Sequence, residues 1–212
     1  MLQKIKNKIN SNVGTKNQET REIWLEETLL KIPQGNSILD AGAGELQYKK
    51  FCSHLDYTSQ DFGKYDGKGN NEGLQTDSFD NSKLNIISDI TKIPAKDNSF
   101  DALMCTEVLE HLPKPIKAIK EFSRIIKSGG KLIITAPFCS LTHFAPYYFS
   151  NGYSKYWYEK ILKENDFIIS EIDYNGNYFE YLAQEIRQIP KMENNILIKK
   201  YLLISLIKLV LK

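Results

Sequence analysis

The sequence predicts an α/β fold, in which a doubly wound, mostly parallel sheet carries helices on both faces. Short apolar runs typical of strands alternate along the chain with longer segments whose apolar residues recur at helical spacing. Such an alternation forms βαβ units, and these units build parallel sheets. The 212 residues, of which 42% are hydrophobic and 25% charged, also suffice for one globular domain with a buried core.

The first part of the chain contributes a helix, two strands and a long loop. Leu25, Leu29 and Ile32 form one apolar stripe at helical spacing. Glycine, asparagine and aspartate dominate the stretch before the third strand, which is typical of a loop. The predicted elements are, in order, a helix at 17–32, a strand at 37–40, a tight turn at 41–44, a helix at 45–54, a strand at 57–61 and a loop at 63–83.

The second part continues the alternation. Pro115 suits the first turn of a helix, since proline has no amide hydrogen to leave unpaired there. The apolar face of this helix is predicted to comprise Ile116, Ile119, Phe122 and Ile126. The other predicted elements are strands at 84–88, 100–105, 132–136 and 167–174 and a helix at 153–165.

Charge and cysteine content indicate which classes of partner and site to expect. The net charge of +2, without a concentrated basic face, gives no reason to expect nucleic-acid binding. Three scattered cysteines without a C-x-x-C spacing indicate neither a disulfide framework nor a zinc site, and three widely spaced histidines lead us to expect no metal. The polar, lysine-rich N-terminus is not a secretory signal, so we expect a cytoplasmic protein.

Three regions are expected along the chain: a flexible leader or lid at 1–16, a ligand-binding domain at 17–190 and an apolar, basic C-terminal helix at 191–212. Lysines interrupt the apolar run at 196–212, which makes it a poor membrane span. The run could instead form a peripheral membrane helix, a homodimer contact or a helix packed on the domain.

The predicted turn at 41–44 lies where open α/β sheets bind ligands, beyond the carboxyl ends of the strands. The dinucleotide fingerprint would need a third glycine where Gln47 stands. Asp40 and Glu45 flank the turn, and two carboxylates there would repel a pyrophosphate. They favour S-adenosylmethionine, which carries an ammonium and a sulfonium cation, over NAD or ATP. Glu45 could alternatively only complement the helix dipole.

Asp61 ends the second predicted strand, about twenty residues beyond the turn. An acid at this position can accept hydrogen bonds from ribose hydroxyls. This feature supports a nucleoside ligand without choosing between the two cofactors, and a turn-forming role is the alternative.

The same segments resemble a known family. Residues 38–45, ILDAGAGE, resemble the first motif of the class I S-adenosylmethionine-dependent methyltransferases. The order and spacing of the motifs resemble the methyltransferase type 11 subgroup, which includes the ubiquinone-biosynthesis enzymes. Residues 138–189 look like those of bacterial members associated with surface polysaccharides. The other matching segments are 89–90, 93–94, 98–101, 106–112 and 128–132, so that the resemblance covers roughly 36–137.

The resemblance implies a Rossmann-like fold and a mapped cofactor site. Family members normally close the sheet with a seventh strand near the C-terminus, but a seventh strand is doubtful here. Many members also carry a third glycine where Leu46 stands. The implied cofactor residues are Asp40, Ala41, Gly42 and Gly44 at the methionine end, Asp61 at the ribose, Phe62, Asp89 and Ile90 around the adenine, and Thr106 and Glu107 under the sulfonium.

Catalytic and acceptor-binding candidates follow the fourth and fifth strands. Methyl transfer needs alignment of the acceptor, and an oxygen acceptor also benefits from a base. His143 is the leading candidate and His111 the second, since an imidazole pKa of about 6.5 suits this task. Either could instead be a structural hydrogen-bond partner. The aromatic residues expected to line the acceptor pocket are Phe138, Tyr147, Tyr148 and Tyr153.

These observations predict an S-adenosylmethionine-dependent methyltransferase that O-methylates a small metabolite or glycan precursor, with N-methylation left open. The partner is accordingly a small-molecule or glycan acceptor. Two alternatives stay open at this point. One is an NAD-dependent dehydrogenase or epimerase, and the other is a non-catalytic module that keeps the cofactor-binding fold.

Overall fold

The computed structural model describes residues 12–192 and Ser205. Five strands and four α-helices lie in the described part of the chain. In chain order they are α1 (Asn17–Leu30), β1 (Ser37–Ala41), β2 (Asp56–Asp61), β3 (Ile86–Ile87), β4 (Phe100–Thr106), α2 (Pro115–Ile125), β5 (Ile126–Thr135), α3 (Lys155–Glu164) and α4 (Tyr178–Met192).

The five strands form one parallel sheet in the order β3-β2-β1-β4-β5. β1 lies at the centre, where Leu39 pairs with Thr58 of β2 on one side and with Leu103 of β4 on the other. The chain runs outward in one direction to β3 and then returns to the far side of β1, which is a topological switch point. This topology confirms the predicted Rossmann-like, doubly wound α/β fold.

The sheet is covered on both faces. Leu39, Leu103 and Cys105 belong to a core cluster that also contains Phe122 of α2 and Ile161 of α3. The residues that alternate with them along the strands, Ile38, Ala102 and Met104, are each 0% exposed. Strands buried on both faces are typical of parallel sheets flanked by other elements.

The helix predicted at 45–54 is wrong. The structure has turns there, followed by a short 3-10 helix at Lys49–Phe51. Leu46 adopts φ of 63°, in the left-handed region, and an α-helix cannot continue through such a residue. Leu46 thus takes a backbone conformation that glycine adopts readily.

The strand boundaries in the second half also differ from the predictions. β5 begins at Ile126 instead of 132, because the chain turns extended directly after α2 and pairs with Phe100 before a register shift. Ile126 therefore lies in the strand, and Ile116 is 49% exposed, so neither belongs to the buried face of α2. β3 comprises only two residues, and no strand pairing occurs at 167–174, although both segments lie within the described residues.

The described residues divide into two compact units, one comprising 25–172 and the other combining the residues before 25 with those after 172. In the second unit, the Asn17 side-chain amide donates to Gln184 Oε1 at 2.8 Å, and the Gly14 backbone amide donates to the Glu180 carboxylate. The leader predicted at 1–16 falls mostly outside the described residues, as does the C-terminal helix predicted at 191–212. No helix in the part of the chain that the structure describes is long and apolar enough to cross a membrane.

Candidate active site

The turn after β1 is tightly packed. Gly42 and Ala43 donate their amides to the carbonyl of Gln60 at the end of β2, at 2.8 and 2.9 Å. Gly42 has φ of 82°, and a Cβ added there would overlap the methyl groups of Val108. A Cβ at Gly44 would come within 2.8 Å of the Phe79 ring. The two glycines therefore let the chain turn sharply at the carboxyl edge of the sheet.

Two buried carboxylates lie at the ends of β1 and β2. Asp40 is 1% exposed, and its carboxylate accepts a hydrogen bond from the Tyr57 hydroxyl at 2.6 Å. Burial, with a smaller contribution from the negative charge of Asp61, raises the pKa of Asp40 to about 7. Asp61 accepts hydrogen bonds from the amides of Gly44 and Gly63, at 3.1 and 2.9 Å. Burial nevertheless raises the pKa of Asp61.

The end of β4 adds two polar side chains. Thr106 Oγ1 is buried and has no hydrogen-bond partner among the described residues. Glu107 adopts φ of 55°, and its carboxylate accepts a hydrogen bond from the Thr135 hydroxyl at 2.8 Å. Its own amide donates to the Thr135 carbonyl at 2.9 Å, which ties this turn to β5. A left-handed non-glycine residue held by such contacts is a feature often found at functional sites.

The residues mapped to the adenine lie in different surroundings. Phe62 packs edge-on against Tyr147, with ring centroids 4.8 Å apart. Asp89 is exposed and accepts hydrogen bonds from the amide and hydroxyl of Thr91, both at 2.8 Å, which lower its pKa. Ile90 is 6% exposed and belongs to the core cluster. Adenine binding by these three residues stays a prediction.

Two loops meet beyond the carboxyl edge of the sheet, one following β2 and the other following β5. Leu74 and His143 form a parallel bridge, in which the Leu74 amide donates to the Thr142 carbonyl and the Phe144 amide to the Leu74 carbonyl, both at 2.9 Å. The Phe144 ring stacks on Tyr65, with centroids 4.5 Å apart. This contact between the loops was not predicted from the sequence.

The two predicted catalytic histidines are brought together. The ring centroids of His111 and His143 are 4.7 Å apart, and both Nε2 atoms face the carboxylate of Glu110, at 3.8 and 3.9 Å from its Oε1. Glu110 is 0% exposed and was not among the predicted residues. Burial, and then the positive charge that His143 can carry, lower the pKa of His111 to about 4. His111 is therefore neutral at physiological pH.

A family comparison agrees with this geometry. Residues 39–134, from β1 to the end of β5, match the methyltransferase domain family. The match includes the glycine turn, both buried carboxylates and the segment that contains Glu110 and His111. The matched segment, a little under half of the chain, is similar to the methyltransferase domain of class I S-adenosylmethionine-dependent enzymes. S-adenosyl-L-methionine is the cofactor of this class.

Individual relatives show how far the similarity extends. The chain is 35% identical over 109 residues to the demethylmenaquinone methyltransferase of Renibacterium salmoninarum, which is 51% of this chain but only 43% of the relative. It is 24% identical over 189 residues to the ubiquinone/menaquinone biosynthesis C-methyltransferase of Francisella philomiragia, covering 81% of this chain and 68% of that enzyme. The chain therefore spans less than half the length of the first of these curated relatives.

A solved structure shares the fold. The YcgJ protein from Bacillus subtilis matches with a TM-score of 0.56 and 15% sequence identity, over 84% of this chain and 85% of that protein. At this level of identity the similarity concerns the fold, and the residue roles have to be argued from this chain itself.

The residues of the turn fit S-adenosylmethionine. Asp40 and Asp61 are buried next to each other, and the charge of Asp61 contributes to the raised pKa of Asp40, so this edge attracts a cation. The unpartnered Thr106 hydroxyl lies at the end of β4, next to β1 in the sheet. S-adenosylmethionine, which carries cationic groups and ribose hydroxyls, would therefore find both charge partners and hydrogen-bonding groups at this turn.

The four residues predicted to line the acceptor pocket lie in different surroundings. The Tyr148 ring lies 5.1 Å from that of His143, and Tyr147 packs on Phe62. Phe138 is 61% exposed. Tyr153 instead packs against Trp157, with centroids 4.4 Å apart, and donates its hydroxyl to the Leu109 carbonyl at 2.8 Å. Tyr147 and Tyr148 therefore lie nearest to the histidines, whereas Tyr153 contributes to packing.

Proposed function

We propose that this chain transfers the methyl group of S-adenosylmethionine to an oxygen atom of a small metabolite or glycan precursor. One observation carries the proposal. Val108 packs against Gly42 of the turn at 41–44, the proposed cofactor turn, and Glu110 and His111 follow Val108 two and three residues later in the chain. The cofactor turn and the histidine pair thus lie at the same edge of the sheet, as methyl transfer requires of a donor and an acceptor.

The buried carboxylates are proposed to hold the cofactor. Asp40, Gly42 and Gly44 would bind its methionine end, and Asp61 its ribose. The bound cofactor supplies an electrophilic methyl group attached to a sulfonium sulfur. Thr106, whose hydroxyl has no partner among the described residues, would interact beneath that group. We propose the same position for Glu107.

His143 is proposed as the base that accepts the proton of the acceptor hydroxyl. Its Nδ1 bonds the Leu141 carbonyl at 2.9 Å, so Nδ1 carries the hydrogen and Nε2 offers a lone pair. His111 is held in the same way by the Tyr147 carbonyl at 2.6 Å. Its pKa is lowered to about 4, so His111 is a weaker base and is therefore the second candidate.

The aromatic rings beside His143 support an acceptor with a flat or apolar face. Sugars and aromatic rings both stack on tyrosine side chains, and Tyr148 lies 5.1 Å from the imidazole. The Francisella relative is named a C-methyltransferase, so a carbon of an aromatic ring is the alternative acceptor atom. The linkage of the methyl group in the product distinguishes the two.

Calorimetry with S-adenosylmethionine, S-adenosylhomocysteine and NAD tests the proposal first. We expect binding of both adenosyl ligands and not of NAD, and a loss of about tenfold or more in Asp61→Asn, because each ribose hydrogen bond to a charged group contributes about 1.5–3 kcal/mol. Asp56→Asn, an exposed change in the same strand, is the control.

A transfer assay with isotope-labelled methyl donor then screens nucleotide sugars, phenols and quinols. Methylated product with an oxygen linkage supports the proposal, and a carbon or nitrogen linkage corrects the acceptor atom. NAD binding without adenosyl ligand binding would favour a dehydrogenase or epimerase. Adenosyl ligand binding without turnover of any acceptor would favour a non-catalytic module, with residues 196–212 as its proposed membrane or homodimer contact.

A further inference from the structure

Three electron-pair donors converge at the edge of the sheet. Glu110, His111 and His143 each offer one ligand atom, and these three atoms lie within 4.8 Å of one another. Glu110 is fully buried, and the side chains of His111 and His143 are 13% and 21% exposed. Transition-metal sites in proteins are commonly built from imidazole and carboxylate ligands.

The hydrogen bonds of the two imidazoles determine which nitrogen is available. Each Nδ1 bonds a backbone carbonyl, that of Tyr147 for His111 and that of Leu141 for His143, at 2.6 and 2.9 Å. A carbonyl oxygen only accepts, so each Nδ1 carries the hydrogen and each neutral ring directs a lone pair from Nε2. A backbone carbonyl on the second nitrogen is the common arrangement of metal-binding histidines.

The distances between these atoms are somewhat longer than those between the ligand atoms of a metal-bound site. Both Nε2 atoms are 3.8–3.9 Å from Glu110 Oε1, which is too long for a hydrogen bond. Bonds of about 2.0–2.2 Å to one ion place the ligand atoms of a tetrahedral site ~3.4 Å apart. Binding of an ion would therefore require side-chain rotations that bring the three ligand atoms closer together.

We propose that Glu110, His111 and His143 bind one divalent transition-metal ion, with Zn²⁺ or Mn²⁺ as the chemical class. Two imidazoles and one carboxylate favour such ions over Mg²⁺ and Ca²⁺, which prefer oxygen ligands alone. This proposal departs from the sequence-based expectation of no metal. His143 is distant in the sequence and reaches Glu110 through the loop after β5.

The backbone around the three ligands is held in place before any ion binds. The Glu110 carbonyl accepts hydrogen bonds from the amides of Phe149 and Ser150, at 2.9 and 3.2 Å. These bonds attach the loop that carries His143 to the turn that carries Glu110 and His111. A ligand set fixed by its surroundings loses less entropy when it binds an ion.

The ion would give the site a defined acceptor class, an inference that rests on the proposed function. Three protein ligands leave at least one coordination position open, which a hydroxyl oxygen of the acceptor can take. Coordination lowers the pKa of that hydroxyl, so its proton can leave to water without His143 acting as the base. Acceptors with neighbouring oxygen atoms would then be preferred.

Metal binding by the untagged full-length chain tests the proposal without any need for turnover. Calorimetry with Zn²⁺ or Mn²⁺ and visible absorption with Co²⁺ should give about one ion per chain. Glu110→Gln and His143→Asn should each weaken binding by at least ~100-fold, beyond the 10–100-fold effect of changes around a metal site. His54→Asn, which removes the chain's third histidine outside the cluster, should bind like the wild type.

Two results would overturn the metal site: no stoichiometric ion in the wild type, or equal binding in His143→Asn and His54→Asn. Calorimetry with S-adenosylmethionine on the same samples separates this inference from the proposed function. Cofactor binding without ion binding removes only the metal site, whereas ion binding without cofactor binding removes only the methyltransferase proposal. Retained cofactor binding in His143→Asn also shows that this variant is folded.

Discussion

At Gly42 the backbone of the cofactor turn lies directly against Val108. Gly42→Ala would place a methyl group on the Val108 side chain and would also hold alanine at φ of 82°. The left-handed conformation alone costs an L-residue roughly 1–2 kcal/mol. Displacing Val108 adds a further ~1–3 kcal/mol. We expect urea denaturation to show a loss of about 2–5 kcal/mol in the free energy of unfolding.

Gly35→Ala is the matched control for this substitution. Gly35 has φ of 79°, but nothing lies within 4 Å of its added Cβ, so only the conformational penalty applies. Combining Gly42→Ala with Val108→Ala should recover part of the loss. Equal losses in Gly42→Ala and Gly35→Ala would contradict the proposed contact.

At the scale of the elements, α2 holds the segment before β4 in place. Glu121 accepts a hydrogen bond from the Ile93 amide at 2.7 Å and two from the Arg124 guanidinium at 2.7 and 2.9 Å. Arg124 in turn donates to the Ala95 carbonyl at 2.9 Å and to Asp97 at 2.6 Å. These contacts connect one turn of α2 to the chain that enters β4.

Glu121→Gln should therefore lower the free energy of unfolding by about 1–2 kcal/mol, because a buried charge-assisted pair loses its anion while the amide keeps part of the hydrogen bonding. Faster amide exchange at residues 93–97 would locate the effect. Glu159→Gln removes an exposed pair with Lys155 at 3.4 Å and should change stability by less than about 0.5 kcal/mol. Indistinguishable variants would argue against the connecting role.

The sequence predicted the elements whose pattern is local. β1, its glycine turn and Asp40 were recognisable because a short apolar run, two glycines and an acid are adjacent in the chain. The helix expected at 45–54 failed because the pattern of side chains does not report the left-handed φ of Leu46. Glu110 was missed for a different reason: its role depends on His143, which only the folded loops bring near.

At the scale of the whole molecule, the parallel sheet places Asp40 and Asp61 at one edge and buries both. Burial raises the pKa of Asp40 to about 7, so the folded state holds a proton there that the unfolded chain releases above about pH 4. This proton stabilises the folded protein fully below that value. The stabilisation is lost as the pH rises through about 7.

We therefore expect the wild type to lose roughly 2–4 kcal/mol of stability between pH 4 and 7 that Asp40→Asn does not lose. Asparagine accepts the Tyr57 hydrogen bond but cannot ionise. Urea denaturation of both proteins across this range measures the difference, which cancels the titration of other groups. Asp56→Asn, an exposed substitution, should follow the wild type. A cationic cofactor would favour ionised Asp40, so its affinity should rise with pH through about 7 in the wild type alone. Parallel stability curves for the wild type and Asp40→Asn would show that Asp40 is already ionised in the empty site.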